Sequence, residues 1–298
     1  MTHKDYARKR TDGMVALAFL LPLLAGLGVF YFYAFIKNIY YSFTNLGSFG
    51  KASFTGLENY RRLFSDPKFY RSLGNTLRYV VIAVPAVVVF STLNAYLLSR
   101  LRILSGVFRT LLFLPAVTMP AAIGILWRWL FNYKFGLINA LLGKFGIEPV
   151  AWLSDPAVSL YSVSIVLVWA LLATQTVIIL TGLQNIPAMY EEAALIDGAN
   201  RRQIFLKITL PLLSPTLFFV ITITTINVFQ VFDFIFLMLR PATLAIQYAS
   251  SLVYYFYDRA FIAYEKGYGV AVSMILCLII LLVTVIQFIF QKKWVHYS

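Results

Sequence analysis

Three polar side chains recur at three-residue intervals inside an otherwise apolar stretch of the chain. They are Asn227, Gln230 and Asp233, and because a helix advances about 100° per residue, they are predicted to lie within about 120° of one helix face. Carboxamide and carboxylate groups exchange hydrogen bonds with hydroxyls, which suits a neutral polyol such as a sugar. The aromatic residues near enough to stack on such a ligand are Phe229, Phe232 and Phe234. The alternative is that the polar groups bond neighbouring helices and meet no ligand.

A further candidate for ligand contact is Gln175, which lies between Thr174 and Thr176 in another apolar stretch. Polar groups inside an apolar span are costly, so they mark candidate functional positions. Threonine in a helix mostly bonds its own backbone, so the glutamine is the group that we assign to the ligand.

The composition sets the environment in which these residues act. Of the 298 residues, 60% are hydrophobic and 12% are charged, about half the roughly 25% charged share of soluble domains. This excludes a soluble enzyme and indicates a chain solvated largely by lipid. With Cys277 alone and histidine only at His3 and His296, the core can hold no disulfide, zinc–thiolate site or histidine-activated nucleophile. The net charge of +13 is assigned to basic residues beside anionic lipid, not to nucleic acid.

The distribution of charge-free stretches predicts an all-α membrane protein with six transmembrane helices. The predicted spans are about 14–36, 77–99, 108–131, 157–183, 210–238 and 267–290. Asp233 is the only acid inside any of them. Residues 241–257 are also free of charge, but their glutamine, two serines and four tyrosines indicate an interfacial or mouth-lining segment and not a span.

Basic residues indicate the orientation. The apolar run of the first span is longer than the core of a signal peptide, so we expect it to remain as a helix. The positive-inside rule places the N-terminus in the cytoplasm, and six spans return the C-terminus to the same side. The basic residues on which this prediction depends are Lys4, Arg8, Lys9, Arg10, Arg100, Arg102, Arg109, Lys292 and Lys293.

The segment 187–211, between the fourth and fifth predicted spans, reads as a short cytoplasmic helix followed by re-entry into the membrane. Pro187 suits a helix start, and Glu191 and Glu192 lie early, where the positive end of the helix dipole favours acids. Gly198 can adopt a positive φ and close the helix. The small residues Ala193, Ala194 and Ala199 offer a surface that can enter a groove on another protein.

This segment closely resembles a known signature. It reads Glu192-Ala193-Ala194, then Asp197-Gly198-Ala199, then Ile208-Thr209-Leu210-Pro211. That order and spacing match the EAA motif, E-A-A-x-x-D-G-A-x8-I-x-L-P, of the membrane subunits of ATP-binding-cassette (ABC) importers. The alternative is an amphipathic loop helix without a partner.

Other elements resemble the carbohydrate branch of that family, which includes maltose-type permeases. They are Phe54–Tyr60, Asp66–Phe69, Asn75-Thr76, Phe261 and Gly267–Ala271. The resemblance runs from about residue 14 to residue 293. One departure is Leu239-Arg240-Pro241-Ala242, which stands where that branch usually has a Gly-Gly-Pro turn.

The resemblance implies a type I importer permease fold and a division of labour among subunits. It implies a second homologous permease, usually a different chain, two cytoplasmic ATPases and an extracytoplasmic solute-binding protein in a bacterial or archaeal plasma membrane. The residues that it assigns to coupling with the ATPase are Glu191, Glu192, Ala193, Ala194, Asp197, Gly198 and Ala199. Neither Gly50-Lys51 nor Gly143-Lys144 is followed by Ser or Thr, so the chain lacks a P-loop and ATP is assigned to the partner subunit. We expect the chain itself to need no cofactor or metal.

Alternatives remain at this point. Gln230 and Asp233 align with sugar-contacting positions of maltose-type permeases, but related permeases carry phosphorylated polyols such as glycerol 3-phosphate, although Asp233 would repel a phosphate. A self-sufficient secondary carrier would usually show internal repeats or several intramembrane charges. An intramembrane enzyme would need converging acid, base or metal-binding groups, which one acid does not supply.

Overall fold

The computed structural model describes residues 3–47, 50, 52–100, 105–241 and 243–295. Over these ranges the regular secondary structure is helical, apart from one isolated antiparallel bridge between Thr44 and Phe54. The all-α prediction is therefore confirmed. Four residues named in the sequence predictions lie outside the described ranges, namely Lys51, Arg102, Ala242 and His296.

The α-helices of the described ranges are α1 (His3–Leu27), α2 (Ala34–Ser42), α3 (Glu58–Ser65), α4 (Pro67–Arg100), α5 (Ser105–Val117), α6 (Pro120–Leu130), α7 (Leu137–Lys144), α8 (Ser159–Gln184), α9 (Met189–Ile196), α10 (Arg201–Ile204), α11 (Leu210–Phe229), α12 (Asp233–Met238), α13 (Leu244–Ala249), α14 (Leu252–Tyr257) and α15 (Lys266–Trp294). Stretches of π-helix occur at Gly28–Tyr33, Phe205–Thr209 and Asp258–Ile262. The first joins α1 to α2 and the second joins α10 to α11, so these pairs run on as continuous helical rods.

Five helical stretches of the described residues are long and apolar enough to cross a membrane. They are Val15–Ser42, Pro67–Arg100, Ser159–Gln184, Arg201–Phe229 and Lys266–Trp294. Each overlaps one of the predicted spans, the first, second, fourth, fifth and sixth in chain order.

The third predicted span, 108–131, is divided into two shorter helices. Helix α5 ends at Val117 and α6 begins at Pro120, with Met119 in extended conformation at ψ 137°. The residue before a proline is disfavoured in the helical region, and proline is favoured at the first position of a helix. The sequence Met119-Pro120 therefore accounts for the break, and the prediction of six spans stays a prediction.

Residues Met1–Ser65 and Asp258–Met274 form one compact unit. Within it, the Asn59 amide donates to the backbone oxygens of Ser42 and Thr44, each at 2.8 Å. Gly267 lies so close to this turn that a Cβ would approach the Thr44 carbonyl oxygen to 2.0 Å. The contact accounts for the glycine, since no other residue fits there without moving the backbone.

Residues Asp66–Tyr257 and Ile275–Ser298 form the second unit. Helix α8 packs there against α4 and α11 in two apolar clusters. The first is centred on Tyr79, Val163, Val166, Val228 and Ile235, and the second on Ala95, Ile179, Leu213 and Val220. Along the three helices, buried polar residues fall between the two clusters in sequence, namely Ser91, Thr92, Gln175, Thr176, Thr224 and Thr225.

Candidate functional site

The EAA-type segment folds as two short helices joined by a capped turn. Helix α9 ends at Ile196, and Gly198 adopts φ +80°. The N–H of Gly198 donates to the Leu195 oxygen at 3.1 Å, and that of Ala199 donates to the Ala194 oxygen at 2.9 Å. These two bonds are a Schellman cap, which needs a left-handed residue at the position of the glycine.

The next helix is capped just as tightly at its N-terminus. The Asn200 side chain accepts from the backbone N–H of Gln203 at 2.9 Å, and the Gln203 side chain accepts from that of Asn200 at 2.8 Å. This reciprocal pair is a capping box, which satisfies two backbone donors at the start of α10. Because one cap ends α9 and the other begins α10, local contacts specify the turn between the two helices.

The two faces of α9 have different surroundings. Ala194 is 7% exposed and packs inward. Met189, Glu192, Ala193 and Ile196 are exposed, at the i, i+3, i+4 and i+7 spacing of a single helix face. This outward face carries one carboxylate among apolar side chains.

Glu191, by contrast, is engaged within the chain. Its carboxylate forms an ion pair of 2.8 Å with the Arg100 guanidinium at the end of α4. Arg100 also lies over the ring of Tyr96, 5.3 Å from its centroid. The two acids of the motif therefore have separate environments, Glu191 facing α4 and Glu192 facing outward.

A cleft of about 300 Å³ lies around this ion pair. It is lined by Tyr96, Ser99, Arg100, Leu183, Gln184, Ile186, Pro187, Ala188, Tyr190, Glu191, Ile204, Ile208 and Thr209. The lining residues come from the ends of α4 and α8 and from α9 to the start of α11. The ion pair and this cleft thus place part of the segment beside the ends of α4 and α8.

The polar stretch predicted to bind ligand lies at a break in the helix. Helix α11 ends at Phe229, Gln230 has φ −94° and ψ 14°, and α12 begins at Asp233. The uniform angular spacing expected for a continuous helix therefore extends only from Asn227 to Gln230. All three predicted polar residues, Asn227, Gln230 and Asp233, are nevertheless exposed within this chain.

A buried serine forms hydrogen bonds with the backbone at the break. The Ser251 hydroxyl donates to the Val231 oxygen at 2.6 Å and accepts from the Tyr254 N–H at 3.1 Å. A backbone carbonyl released from a helix at membrane depth must find another partner, and Ser251 supplies it. Asp233, just past the break, forms no ion pair with any described side chain.

An aromatic cluster surrounds Phe232, which lies between Gln230 and Asp233 in the chain. Phe232 stacks on Phe236 with ring centroids 5.4 Å apart and lies 6.2 Å and 5.1 Å from the rings of Tyr254 and Tyr257. Phe229 and Phe234 were predicted to stack on a ligand together with Phe232, but they are 1% and 8% exposed, so both belong to the core. The two tyrosines come from residues 241–257. The high tyrosine content of that segment is the sequence feature that could have indicated the cluster.

Gln175 lies apart from this surface. It is 2% exposed, and its Oε1 is buried without a hydrogen-bond partner among the described residues. Its place is the buried polar layer between the two apolar clusters, with Thr176 and Thr224. Gln175 is therefore buried, whereas Asn227, Gln230 and Asp233 are exposed.

These features define a class of protein. A helical membrane chain with a capped EAA-type segment, an outward-facing α9 and no nucleotide-binding loop is the membrane subunit of an ABC importer. The family comparison agrees, because residues 64–296 match the family described as binding-protein-dependent transport system inner membrane component. The chain belongs to this family, and it is a transport component, not an enzyme.

Individual relatives match along nearly the whole chain. The arabinooligosaccharides transport system permease protein AraP of Bacillus subtilis is 33% identical over 95% of this chain and 88% of its own length. The sn-glycerol-3-phosphate transport system permease protein UgpA of Pectobacterium atrosepticum is 32% identical over 94% of each chain. A chain in the crystal structure of a bacterial ABC transporter that imports the acidic polysaccharide alginate has the same fold, with a TM-score of 0.87, 19% identity and coverage of 97% of this chain and 99% of its own.

Proposed function

We propose that this chain is a permease subunit through which a sugar or oligosaccharide, delivered by an extracytoplasmic binding protein, crosses the plasma membrane at the expense of ATP hydrolysed by partner subunits. The observation that carries the proposal is the exposed surface at the α11–α12 break. There Gln230 and Asp233 offer hydrogen bonds to hydroxyls, and the adjoining cluster of Phe232, Phe236, Tyr254 and Tyr257 offers rings to the apolar face of a sugar. The arabinooligosaccharide relative supports this substrate class.

A phosphorylated polyol is the second candidate, favoured by the similarity to a glycerol-3-phosphate permease. The local charge speaks against it. Asp233 is an exposed carboxylate without an ion-pair partner among the described side chains, and it would repel a phosphate bound beside it. We therefore place the neutral sugar first.

The assembly proposed here is supported by the exposed face of α9 and by the lack of a P-loop in the sequence. We propose that it pairs with a second, homologous permease, with two cytoplasmic ATPases and with the binding protein, and that its N- and C-termini are cytoplasmic. Six spans would complete this arrangement if α5 and α6 together cross the membrane, with the break at Met119 inside the crossing. Residues 187–211 then lie in the cytoplasm, where α9 meets an ATPase.

The substrate assignment is tested with the whole complex. Purified binding protein is loaded in turn with neutral oligosaccharides and with glycerol 3-phosphate, and the ATPase activity of the reconstituted complex is measured for each. We expect stimulation with one or more neutral sugars. Stimulation by glycerol 3-phosphate alone would replace the sugar proposal by the phosphate one.

Docking through the outward face of α9 predicts a charge effect at Glu192. Replacing Glu192 with Arg places a cation on the face that we assign to the ATPase, and we expect about tenfold less ATPase to copurify with the permease, which corresponds to ~1.4 kcal/mol. Quantitative gel analysis of the purified complex measures this. Glu148→Arg, at an exposed acid in the loop after α7, is the matched control. Equal recovery of ATPase with both variants would argue against docking through Glu192.

The Arg100–Glu191 pair predicts a separate effect on transmission of movement from α9 to α4. Reversing either charge, in Arg100→Glu or Glu191→Arg, should lower substrate uptake per ATP by up to about fivefold, and the double reversal should restore it, because the ion pair forms again. The pair is partly exposed, with 33% and 39% of the side chains accessible. We therefore expect the ion pair to stabilise the contact between α9 and α4 by ~0.2–1 kcal/mol. Uptake and phosphate release are measured on the same proteoliposomes. A double variant no better than the single ones would contradict the role.

A further inference from the structure

The segment α13–α14, residues 244–257, is fastened to α4 through its backbone. The Tyr79 hydroxyl donates to the Ala249 oxygen at 2.8 Å, and the Asn75 amide donates to the Ser250 oxygen at 3.1 Å. The Leu252 N–H donates to Thr76 Oγ1 at 2.9 Å. All three bonds fall where the chain passes from α13 to α14, so they satisfy the backbone groups that the two short helices leave unpaired.

These anchoring groups are deeply buried. Thr76 and Tyr79 are 0% exposed and Asn75 is 2% exposed, and on the segment Ala249 and Leu252 are also 0% exposed. Water therefore cannot replace a lost bond without a local opening, and a buried backbone donor left without an acceptor is costly. The Asn75-Thr76 element, which resembled a family motif without an evident task, thus has a structural one.

From this anchor, contacts continue to the surface at the α11–α12 break. Ser251, between the anchored residues Ser250 and Leu252, is the hydroxyl that bonds the Val231 oxygen beside Gln230. Two and five residues after Leu252, Tyr254 and Tyr257 contribute rings to the cluster with Phe232. Displacement of the segment would therefore shift both the rings and the broken backbone that present Gln230 and Asp233.

We propose that Asn75, Thr76 and Tyr79 are positioning residues of the translocation path. They act through the backbone of residues 249–252 and hold the aromatic rings of the segment beside Gln230 and Asp233. As a proposal about substrate passage, this rests on the sugar-transport function proposed above. It gives α4 a role in substrate passage in addition to packing, and it predicts that Thr76 matters for its oxygen and not for its shape.

The decisive comparison is between two buried threonines of α4. Thr76→Val keeps the shape but removes the acceptor for the Leu252 N–H, and Thr76→Ser retains that acceptor. Thr92→Val is the matched control, because the Thr92 hydroxyl bonds only the Val88 oxygen of its own helix, at 2.7 Å. Tyr79→Phe removes a second anchoring bond and decides the question in the same way if Thr76→Val is not recovered as a complex.

The first readout does not depend on transport. In a Cys277→Ala background, which removes the only cysteine, Ala249→Cys places a thiol at a buried position of the segment. The labelling rate of this thiol by N-ethylmaleimide in the purified complex should rise about fivefold or more in Thr76→Val, as ~1 kcal/mol of lost anchoring gives. Thr76→Ser and Thr92→Val should label at the parent rate. Equal rates in Thr76→Val and Thr92→Val would overturn the anchor.

The second readout is uptake in proteoliposomes, measured with the native Ala249 restored. We expect sugar uptake per ATP to fall about fivefold in Thr76→Val and to recover in Thr76→Ser, with the basal ATPase activity unchanged. Faster labelling without a change in uptake would overturn the positioning role. A parent complex that transports no sugar would instead count against the proposed function, and the labelling result would still decide the anchor.

Discussion

Replacing Gly198 with valine is expected to leave the complex assembled and its ATPase active, while substrate uptake per ATP falls by about tenfold or more. Gly198 adopts φ +80° in the cap that ends α9, a conformation that costs an L-residue about 1–2 kcal/mol and a β-branched residue more. The space around the glycine is open, with no atom within 4 Å of an added Cβ. The change therefore acts by straining the turn between α9 and α10, and not by a clash.

Gly146 provides a matched control. It has φ +73° and no atom within 4 Å of an added Cβ, but it lies in the loop after α7. Gly146→Val imposes the same backbone strain elsewhere, and uptake per ATP should stay near the parent value. Gly198→Asn should restore much of the loss, because asparagine tolerates the left-handed conformation. Phosphate release and substrate uptake measured on the same vesicles give the ratio, and an unchanged ratio in Gly198→Val would argue against coupling through this turn.

Replacing Asp233 with alanine is expected to lower the uptake of a neutral sugar by about ten- to a hundredfold. A hydrogen bond to a charged group contributes ~1.5–3 kcal/mol, which converts to that range, and Asp233 is the acid exposed at the α11–α12 break. Initial uptake rates at saturating loaded binding protein measure the effect. Glu148→Ala, at an exposed acid outside the candidate site, should have no effect.

The variant Asp233→Asn separates the two substrate classes. Asparagine keeps a hydrogen-bonding side chain and removes the negative charge. For a neutral sugar we expect uptake to fall only in part, because the amide still bonds a hydroxyl but more weakly than the charged carboxylate does. For a phosphorylated polyol the same change removes a repulsion and should increase uptake. Efficient uptake of glycerol 3-phosphate by the parent complex, with the Asp233 carboxylate in place, would therefore contradict the assignment to neutral sugar.

The features that the sequence predicts well are local ones. The closure of α9 at Gly198 was predicted, because its hydrogen bonds join residues no more than five apart. The capping box of Asn200 and Gln203 is equally local, although it was not predicted. Apolar length is also local, which is why five predicted spans coincide with long helices. The break before Pro120 is local as well, since the residue before a proline resists the helical conformation, but the predicted span 108–131 did not include it.

The features that the sequence does not predict depend on distant partners. The bend at Gln230 is held by Ser251, and Glu191 pairs with Arg100 from another helix. No periodicity within α11 or α9 carries that information. The same applies to Tyr254, whose ring contacts Phe232 from a segment that is hydrogen-bonded to α4. The predicted ligand residues Gln230 and Asp233 are both exposed. Their relative position depends on the break in the helix, which regular helical spacing does not predict.

We expect this chain to move its substrate only when partner ATPases drive it. The most direct measurement compares uptake into proteoliposomes that contain this chain alone with uptake into proteoliposomes that contain the second permease and the ATPases as well, each with loaded binding protein and with or without ATP. We predict uptake only in the complete complex with ATP. Uptake by the chain alone, or uptake driven by an ion gradient without ATP, would contradict the claim.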